Sequence, residues 1–86
     1  MFRQLRVAVV IPAYNEERAI TEAISTVPEF VDTIIVVDDA STDATLRVAS
    51  ELGDIQVVSH PQQRGPAGAR NTGLDHARGE LVAFRR

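Results

Sequence analysis

Four short runs of apolar, mostly β-branched residues alternate with helical patterns, and this alternation constrains the fold more than any other feature of the sequence. The runs cover residues 7–11, 33–37, 55–58 and 81–84. The first two are continuously apolar, which is typical of strands buried on both faces of a sheet. The third is shorter and less apolar, so we predict that it lies near an edge of the sheet.

The segment after the first run predicts a helix that is capped by Asn15 and ends at Pro28. Glu16 and Glu17 fall in its first turn, where negative charge complements the exposed N–H groups. Its apolar side has the spacing i, i+3, i+4, i+7 and consists of Ile20, Ala23, Ile24 and Val27.

Two further helices are predicted. The second begins at Ser41, ends before Gly53 and packs through its apolar side, which consists of Thr45, Val48, Ala49 and Leu52. The third begins at Gly65–Pro66, with proline at its first position, and is capped by Gly79. A seam of small residues lets this helix lie close to a sheet, and its members are Ala69, Gly73 and Ala77.

The order β-α-β-α-β-α-β predicts an α/β fold, a Rossmann-like parallel sheet with right-handed crossovers and helices on both faces. Residues 1–86 are expected to form one domain. The net charge of −3 leaves no basic stripe for a nucleic-acid partner. The chain has no cysteine, which excludes disulfides and thiolate metal sites. The apolar run at 7–11 is too short to span a membrane, and we expect a cytoplasmic location.

Ligands of open α/β sheets bind beyond the carboxyl ends of the strands, so candidate functional residues are sought there. After the first run, Pro12 is predicted to end strand pairing and Tyr14 to reach the sheet edge. The aromatic ring could stack on a base, while Asn15 or free N–H groups could bond the edge of that base. The alternative is an ordinary turn between strand and helix, with Asn15 as the cap.

Two adjacent carboxylates, Asp38 and Asp39, follow the second run. At the end of an apolar strand they repel each other and lose solvation unless they have partners. Ribose hydroxyls and the imide N–H of a pyrimidine are suitable donors, so a nucleoside is one candidate partner. The alternative is that one carboxylate caps the helix that begins near Ser41. Both roles are compatible, one for each residue.

A third group of candidate residues precedes and opens the third helix. Small residues there let backbone approach a ligand, and a helix start favours anions. Arg70 lies about one turn into the helix, where it could reach a base or a diphosphate; the alternative is a solvated surface arginine. We predict that His60 is a loop residue rather than a metal ligand and that His76 lies on an exposed helix face.

In this order and at this spacing, the segments resemble family 2 glycosyltransferases with the GT-A fold, of which they would be the N-terminal half. The resemblance spans nearly the whole chain and is carried by VVIPAYNEE (9–17), IVVDDASTDAT (35–45), GPAGARNTGL (65–74) and ARGELVAF (77–84). It implies a nucleotide-diphospho-sugar donor, whose sugar passes with inversion to a hydroxyl of a sugar or lipid acceptor. The nucleoside pocket that it implies is lined by Pro12, Ala13, Tyr14 and Glu16. Asp39, with Asp38 beside it, would bond the base or ribose, and Arg70 would lie against the base or diphosphate.

The chain departs from the family pattern after Phe84. There the family has an Asp-x-Asp motif that holds Mg²⁺ or Mn²⁺ on the diphosphate, whereas this sequence has Arg85–Arg86. A divalent ion stabilises the leaving diphosphate. We therefore expect no metal ligand and no catalytic residue in this chain, which would bind nucleotide without transferring sugar. Ala40 stands where the family often has glycine or asparagine, a departure expected not to matter.

Three interpretations remain open from the sequence. The chain is a truncated or frameshifted glycosyltransferase, or a short protein that binds a nucleotide or a partner without catalysis. The third is an unrelated doubly wound domain. A receiver domain is disfavoured because the acidic pair follows the second run rather than the first. A dinucleotide-binding half is disfavoured because the first turn lacks Gly-x-Gly-x-x-Gly.

Overall fold

Four strands and three helices alternate along the chain, which confirms the predicted α/β class. The computed structural model describes residues 6–77 and 81–84. The elements in chain order are β1 (Val7–Ala13), α1 (Ile20–Ser25), β2 (Thr33–Asp38), α2 (Thr45–Ser50), β3 (Gln56–Ser59), α3 (Gly65–His76) and β4 (Leu81–Phe84).

The strands form one sheet in the order β3-β2-β1-β4, and every neighbouring pair is parallel. In this register Val10 lies beside Ile35 on one side and Phe84 on the other. The two continuously apolar runs thus form the central strands, and the weaker third run forms an edge strand, as predicted. The direction of strand addition reverses at β1, because β2 and β3 follow on one side and β4 on the other.

The central strands are buried from both sides because helices cover both faces of the sheet. α3 packs on one face, against β1 and β2, while α2 packs on β2 and β3 and contacts α1 on the opposite face. The buried residues on the α3 side are Ala8, Val10, Ile35, Val37, Ala69 and Ala77. Those on the other side are Val9, Ile11, Ala13, Ile20, Val36 and Ala49. Alternate residues of each strand therefore enter different core layers.

The prediction that Pro12 ends strand pairing is wrong, because β1 continues through Pro12 to Ala13. The carbonyl of Ala13 accepts a hydrogen bond from the N–H of Asp39 at 2.9 Å, so Ala13 directs its backbone groups towards β2. Backbone groups alternate in direction along a strand, and Pro12 therefore directs its nitrogen towards β4. The described part of β4 pairs with β1 only as far as Val10 opposite Phe84, so among the described residues the missing N–H of Pro12 breaks no bond of the ladder.

Both early helices begin later than the sequence predicts. α1 starts at Ile20, not at Asn15, because Asn15 has a φ of 52° in the left-handed region and its side chain bonds Thr42 instead. α2 starts at Thr45, not at Ser41, because Asp43 accepts a hydrogen bond from the N–H of Thr45 at 2.9 Å and holds a turn there.

The third helix follows the prediction closely. It begins at Gly65, carries Pro66 in its first turn and buries Ala69 and Gly73 against the sheet. The expected cap at Gly79 and the basic pair Arg85–Arg86 lie outside the described residues. Within 6–77 and 81–84, the structure has no helix that combines the length and the apolar character needed to cross a membrane.

Candidate functional site

A cavity of about 400 Å³ opens at the carboxyl edge of the sheet, beside β1, where the direction of strand addition reverses. This is the position at which open α/β sheets bind ligands, and the volume lies in the usual range for small-molecule sites. The residues that line it are Pro12, Ala13, Tyr14, Glu16, Asp39, Gln63, Gly65, Pro66, Ala69 and Arg70. Six of the seven site residues predicted from the sequence therefore surround one cavity.

Asp38 is the predicted site residue that does not line the cavity. It is buried, and its Oδ2 accepts a long hydrogen bond of 3.4 Å from the N–H of Ser41. Its Oδ1 is buried without a hydrogen-bond partner among the described residues. Asp38 therefore holds the turn at Ser41, but neither carboxylate caps α2, which begins at Thr45 without a side-chain cap.

Asp39 lies at the back of the cavity and binds three donors of the chain itself. Its Oδ1 accepts hydrogen bonds from the N–H of Arg64 and from Nδ1 of His60, both at 2.8 Å. Its Oδ2 accepts a hydrogen bond from the N–H of Gly65 at 2.9 Å. A carboxylate has about four acceptor positions, two on each oxygen. These three contacts leave one position on Oδ2 for a ligand.

Asp39 also accepts hydrogen bonds from backbone N–H groups at the start of α3. These groups are therefore not available to a ligand. The N–H groups of Arg64 and Gly65 both point to the carboxylate, and Pro66 has no N–H. The first turn of α3 is therefore already compensated by the negative charge of Asp39. The expectation that this helix start binds a ligand anion is therefore wrong for the N–H groups of Arg64 and Gly65.

The environment of Asp39 stabilises its charged form. Burial raises the pKa of the carboxyl, but the hydrogen bonds from His60, Arg64 and Gly65 and the attraction of the His60 charge outweigh it. The pKa of Asp39 is consequently lower than that of an ordinary aspartate. Asp39 is an ionised acceptor at neutral pH.

This lowered pKa predicts a loss of stability in acid. Ionised Asp39 stabilises the fold above the unfolded-state pKa of about 4, and this contribution disappears as the pH falls from there through the lower folded-state pKa. The melting temperature should be measured between about pH 7 and pH 2. Over this range it should fall less in Asp39→Asn than in the wild type. The exposed control Asp54→Asn should decline as the wild type does. Equal declines in Asp39→Asn and the wild type would contradict the assignment.

His60 is the residue whose importance the sequence analysis missed. It follows β3 as a loop residue, as expected, but its side chain is buried against Asp39 and Thr72. The pairing of Asp38 with Ser59 places the next two residues, Asp39 and His60, side by side at the sheet edge. Aligning the ends of the second and third runs would have found this pair. His76 is exposed, as predicted.

The loop that carries Tyr14 and Glu16 is fixed by the loop that follows β2. The N–H of Asn15 donates to Ser41 Oγ at 2.9 Å, and the N–H of Glu16 donates to Thr45 Oγ1 at 2.7 Å. Asn15 Oδ1 accepts in return from the N–H of Thr42 at 2.8 Å. These bonds hold the front wall of the cavity while leaving Tyr14 partly exposed. Asn15 thus acts between two loops and not as a helix cap.

Arg70 lies one turn into α3, exposed to solvent and on the wall of the cavity. Its position places a cation opposite the loop of Tyr14 and Glu16. An aromatic ring, a carboxylate acceptor and a guanidinium therefore surround one opening. They can stack on a base, accept from a hydroxyl or imide and neutralise a phosphate, respectively.

The described residues of the cavity offer no ligand set for a divalent metal ion. Within the described part of the chain, no group of three or more histidine, aspartate or glutamate side chains is arranged to hold one. Asp39 is engaged by three donors, and Asp38 does not line the cavity. We derive no chemical step through a metal.

Comparison with known proteins identifies the family. Residues 8–84 match the profile described as Glycosyl transferase family 2. The chain belongs to this family. Family membership excludes the third interpretation left open by the sequence, an unrelated doubly wound domain such as a receiver domain or a dinucleotide-binding half.

The relatives include a protein named as a glucosyltransferase and a protein named for polysaccharide biosynthesis. The chain is 36% identical over 83 residues to an Escherichia coli protein, the UDP-Glc:alpha-D-GlcNAc-diphosphoundecaprenol beta-1,3-glucosyltransferase WfgD, with 91% of this chain and 33% of that protein covered. It is 38% identical over 83 residues to the succinoglycan biosynthesis protein ExoO of Rhizobium meliloti, with 90% of this chain and 24% of that protein covered. The chain spans a third or less of the length of both relatives.

Solved structures of the family share the fold. Staphylococcus aureus TarS (residues 1–349) in complex with UDP superposes with a TM-score of 0.81 at 32% identity, covering 93% of this chain and 26% of that one. Mycobacterium tuberculosis glucosyl-3-phosphoglycerate synthase, in complex with Mn²⁺, UDP and glucosyl-3-phosphoglycerate, superposes with a TM-score of 0.72 at 33% identity. There the coverage is 93% of this chain and 32% of that one. The sheet and helices described above are thus the N-terminal portion of a GT-A fold.

Proposed function

We propose that the chain binds the nucleoside diphosphate part of a nucleotide-sugar donor in the cavity beside β1. The observation that carries this proposal is the convergence of Tyr14, Asp39 and Arg70 on one cavity of about 400 Å³ at the carboxyl edge of the sheet. The structural likeness to TarS in complex with UDP supports it and makes UDP the nucleotide to test.

Each contact of the proposed complex uses a group left available by the fold. The partly exposed ring of Tyr14 stacks on the base, with Pro12 and Ala13 beneath it as the floor of the pocket. The open position on Asp39 Oδ2 accepts from a ribose hydroxyl or from the imide N–H of uracil. Arg70 lies against the diphosphate or the base. Glu16 also lines the wall of the cavity.

For the reaction of a whole family member, we propose transfer of the sugar to an acceptor hydroxyl with inversion at the anomeric carbon. For these 86 residues alone, we propose nucleotide binding without transfer. The support is that no described residues form a group able to hold the divalent ion on which the leaving diphosphate depends.

Calorimetric titration of the chain with UDP tests the proposal directly. UDP should bind at a single site, and a UDP-sugar incubated with the chain and Mn²⁺ should release no UDP above background. An absence of UDP binding by the folded chain would refute the assignment of the cavity. Release of UDP would refute the proposal that transfer is absent.

Replacing Arg70 by alanine should weaken UDP binding by about 1.5–3 kcal/mol, because a hydrogen bond from a charged group is lost. Titration with uridine separates the two proposed positions of the guanidinium. If Arg70 contacts the diphosphate, uridine affinity stays unchanged; if it contacts the base, both affinities fall. Arg47→Ala on α2 is the matched control, because Arg47 is exposed and pairs with Glu51 away from the cavity. Unchanged UDP affinity in Arg70→Ala would remove Arg70 from the site.

A further inference from the structure

His60 makes contacts with three segments of the fold beside the cavity residue Asp39. Its backbone N–H extends the ladder by donating to the carbonyl of Asp38 at 2.8 Å. Its side chain is only 4% exposed, with Nδ1 at 2.8 Å from Asp39 Oδ1 and Nε2 at 2.8 Å from Thr72 Oγ1 on α3. A buried imidazole with partners on both nitrogens has a fixed orientation. His60 therefore connects the ends of β2 and β3 to α3.

The proton positions follow from the partners. An ionised carboxylate only accepts hydrogen bonds, so Nδ1 of His60 must carry a proton and donate to Asp39. The hydroxyl of Thr72 can either donate to Nε2 or accept from it. Both the neutral and the charged imidazole thus keep the bond to Asp39, and Thr72 adapts by rotating its hydroxyl. The direction of the His60–Asp39 bond is constant.

This bond determines which part of Asp39 faces the ligand. His60 and the N–H of Arg64 together occupy both acceptor positions of Oδ1. Oδ2 is left with its single bond to Gly65 and one open position. Without the donor at Nδ1, only the N–H groups of Arg64 and Gly65 would hold the carboxylate, whose terminal torsion is broad in aspartate, and Oδ1 would have an open position as well.

We propose that His60 is a positioning residue of the nucleotide site: through Nδ1 it holds the carboxylate of Asp39 so that Oδ2 accepts from the nucleoside. This inference rests on the proposed function and extends it to a residue that does not line the cavity. Thr72 keeps the ring of His60 in place, and His60 keeps Asp39 in place.

Two amide variants of His60 distinguish the roles of its two ring nitrogens. The side-chain nitrogen of asparagine lies as many bonds from Cα as Nδ1 of histidine, and that of glutamine as many as Nε2. His60→Asn should therefore retain the donor to Asp39 and lose the contact with Thr72, whereas His60→Gln should do the reverse. UDP affinity should stay within about threefold of the wild type in His60→Asn and fall about tenfold in His60→Gln, which is about 1.4 kcal/mol.

The exposed His76 supplies the matched controls, since His76→Asn and His76→Gln change the same residue type on α3. Calorimetry with UDP should show wild-type affinity for both. Circular dichroism checks that each variant is folded. If His60 served only to fill space, the two His60 variants would be equally destabilised and would bind UDP equally. Equal affinities, or a weaker His60→Asn, would overturn the proposal.

A measurement without nucleotide keeps the inference separate from the proposed function. Carbon NMR of the Asp39 carboxyl reports its titration in the free protein. The pKa of Asp39 should rise in His60→Gln, which lacks the donor at this position, and stay near the wild-type value in His60→Asn. If wild type fails to bind UDP but the NMR pattern holds, the proposed function fails and the positioning by His60 stands. If wild type binds UDP and the NMR pattern is absent, the positioning fails alone.

Discussion

Asp39→Ala should lower the free energy of unfolding by about 3 kcal/mol or more and abolish UDP binding. The variant leaves three donors without an acceptor: the buried Nδ1 of His60 and the partly buried N–H groups of Arg64 and Gly65. Each unsatisfied buried donor costs about 1–3 kcal/mol. A domain has only about 5–15 kcal/mol of stability, so this single change should remove a large share of it. Urea unfolding followed by circular dichroism measures the loss.

The exposed control is Asp54→Ala, which should change the unfolding midpoint little. Asp39→Asn supplies a folded variant for binding, because its amide keeps one acceptor oxygen for the backbone donors. Its UDP affinity should be weaker by about 1.5–3 kcal/mol, as expected for a lost hydrogen bond to a charged group. If Asp39→Ala had the same urea midpoint of unfolding as the wild type, Asp39 would not be the common acceptor of these three donors.

Gly73→Ala should destabilise the fold by about 1–3 kcal/mol through overpacking. A Cβ at this position would lie 2.3 Å from Cγ1 of Val10 and 2.7 Å from its Cγ2, far inside contact distance. Val10 is fully buried in the central strand, so it has no space into which to move. The helix must then shift away from the sheet, which costs more than the better helix propensity of alanine returns.

A double mutant tests whether the close contact between Gly73 and Val10 causes the destabilisation. Val10→Ala removes the two methyl groups that clash, so Gly73→Ala should cost less in a Val10→Ala background than in the wild type. Asn71→Ala, on the exposed side of the same helix, is the control and should leave stability nearly unchanged. Additive effects of Val10→Ala and Gly73→Ala in urea unfolding would show that the glycine is not required by the approach of α3 to β1.

Much of the fold could be predicted because it depends on local patterns. The β-branched runs identified all four strands, and the weaker third run is an edge strand. The small-residue seam of α3 identified the face that lies on the sheet, with Ala69 and Gly73 buried there. At Pro12 and at the start of α1 the outcome depended on contacts with segments distant in the chain, whereas the start of α2 was set by the local turn of Asp43 and Thr45.

Ala40 departs from the family pattern, and the energetic cost of this departure is apparent only from its backbone conformation. The sequence analysis expected alanine in place of glycine or asparagine to have no consequence. The structure gives Ala40 a φ of 62°, in the left-handed region that disfavours residues with a Cβ. The expectation is wrong in this respect, because the chain turns sharply after Asp39 and stores strain there.

The sequence by itself determined the strand and helix order, the parallel sheet and six of the ten residues that line the cavity. The order of the elements and the parallel sheet follow from hydrophobic periodicity. The cavity residues follow from the rule that the carboxyl ends of parallel strands share one edge, together with the family resemblance. Only the tertiary structure decided that Asp39 and not Asp38 faces the cavity, and that His60, Arg64 and Gly65 bind its carboxylate. Those bonds join residues 21, 25 and 26 positions apart. Such pairings depend on strand register and helix placement, which no short-range pattern specifies.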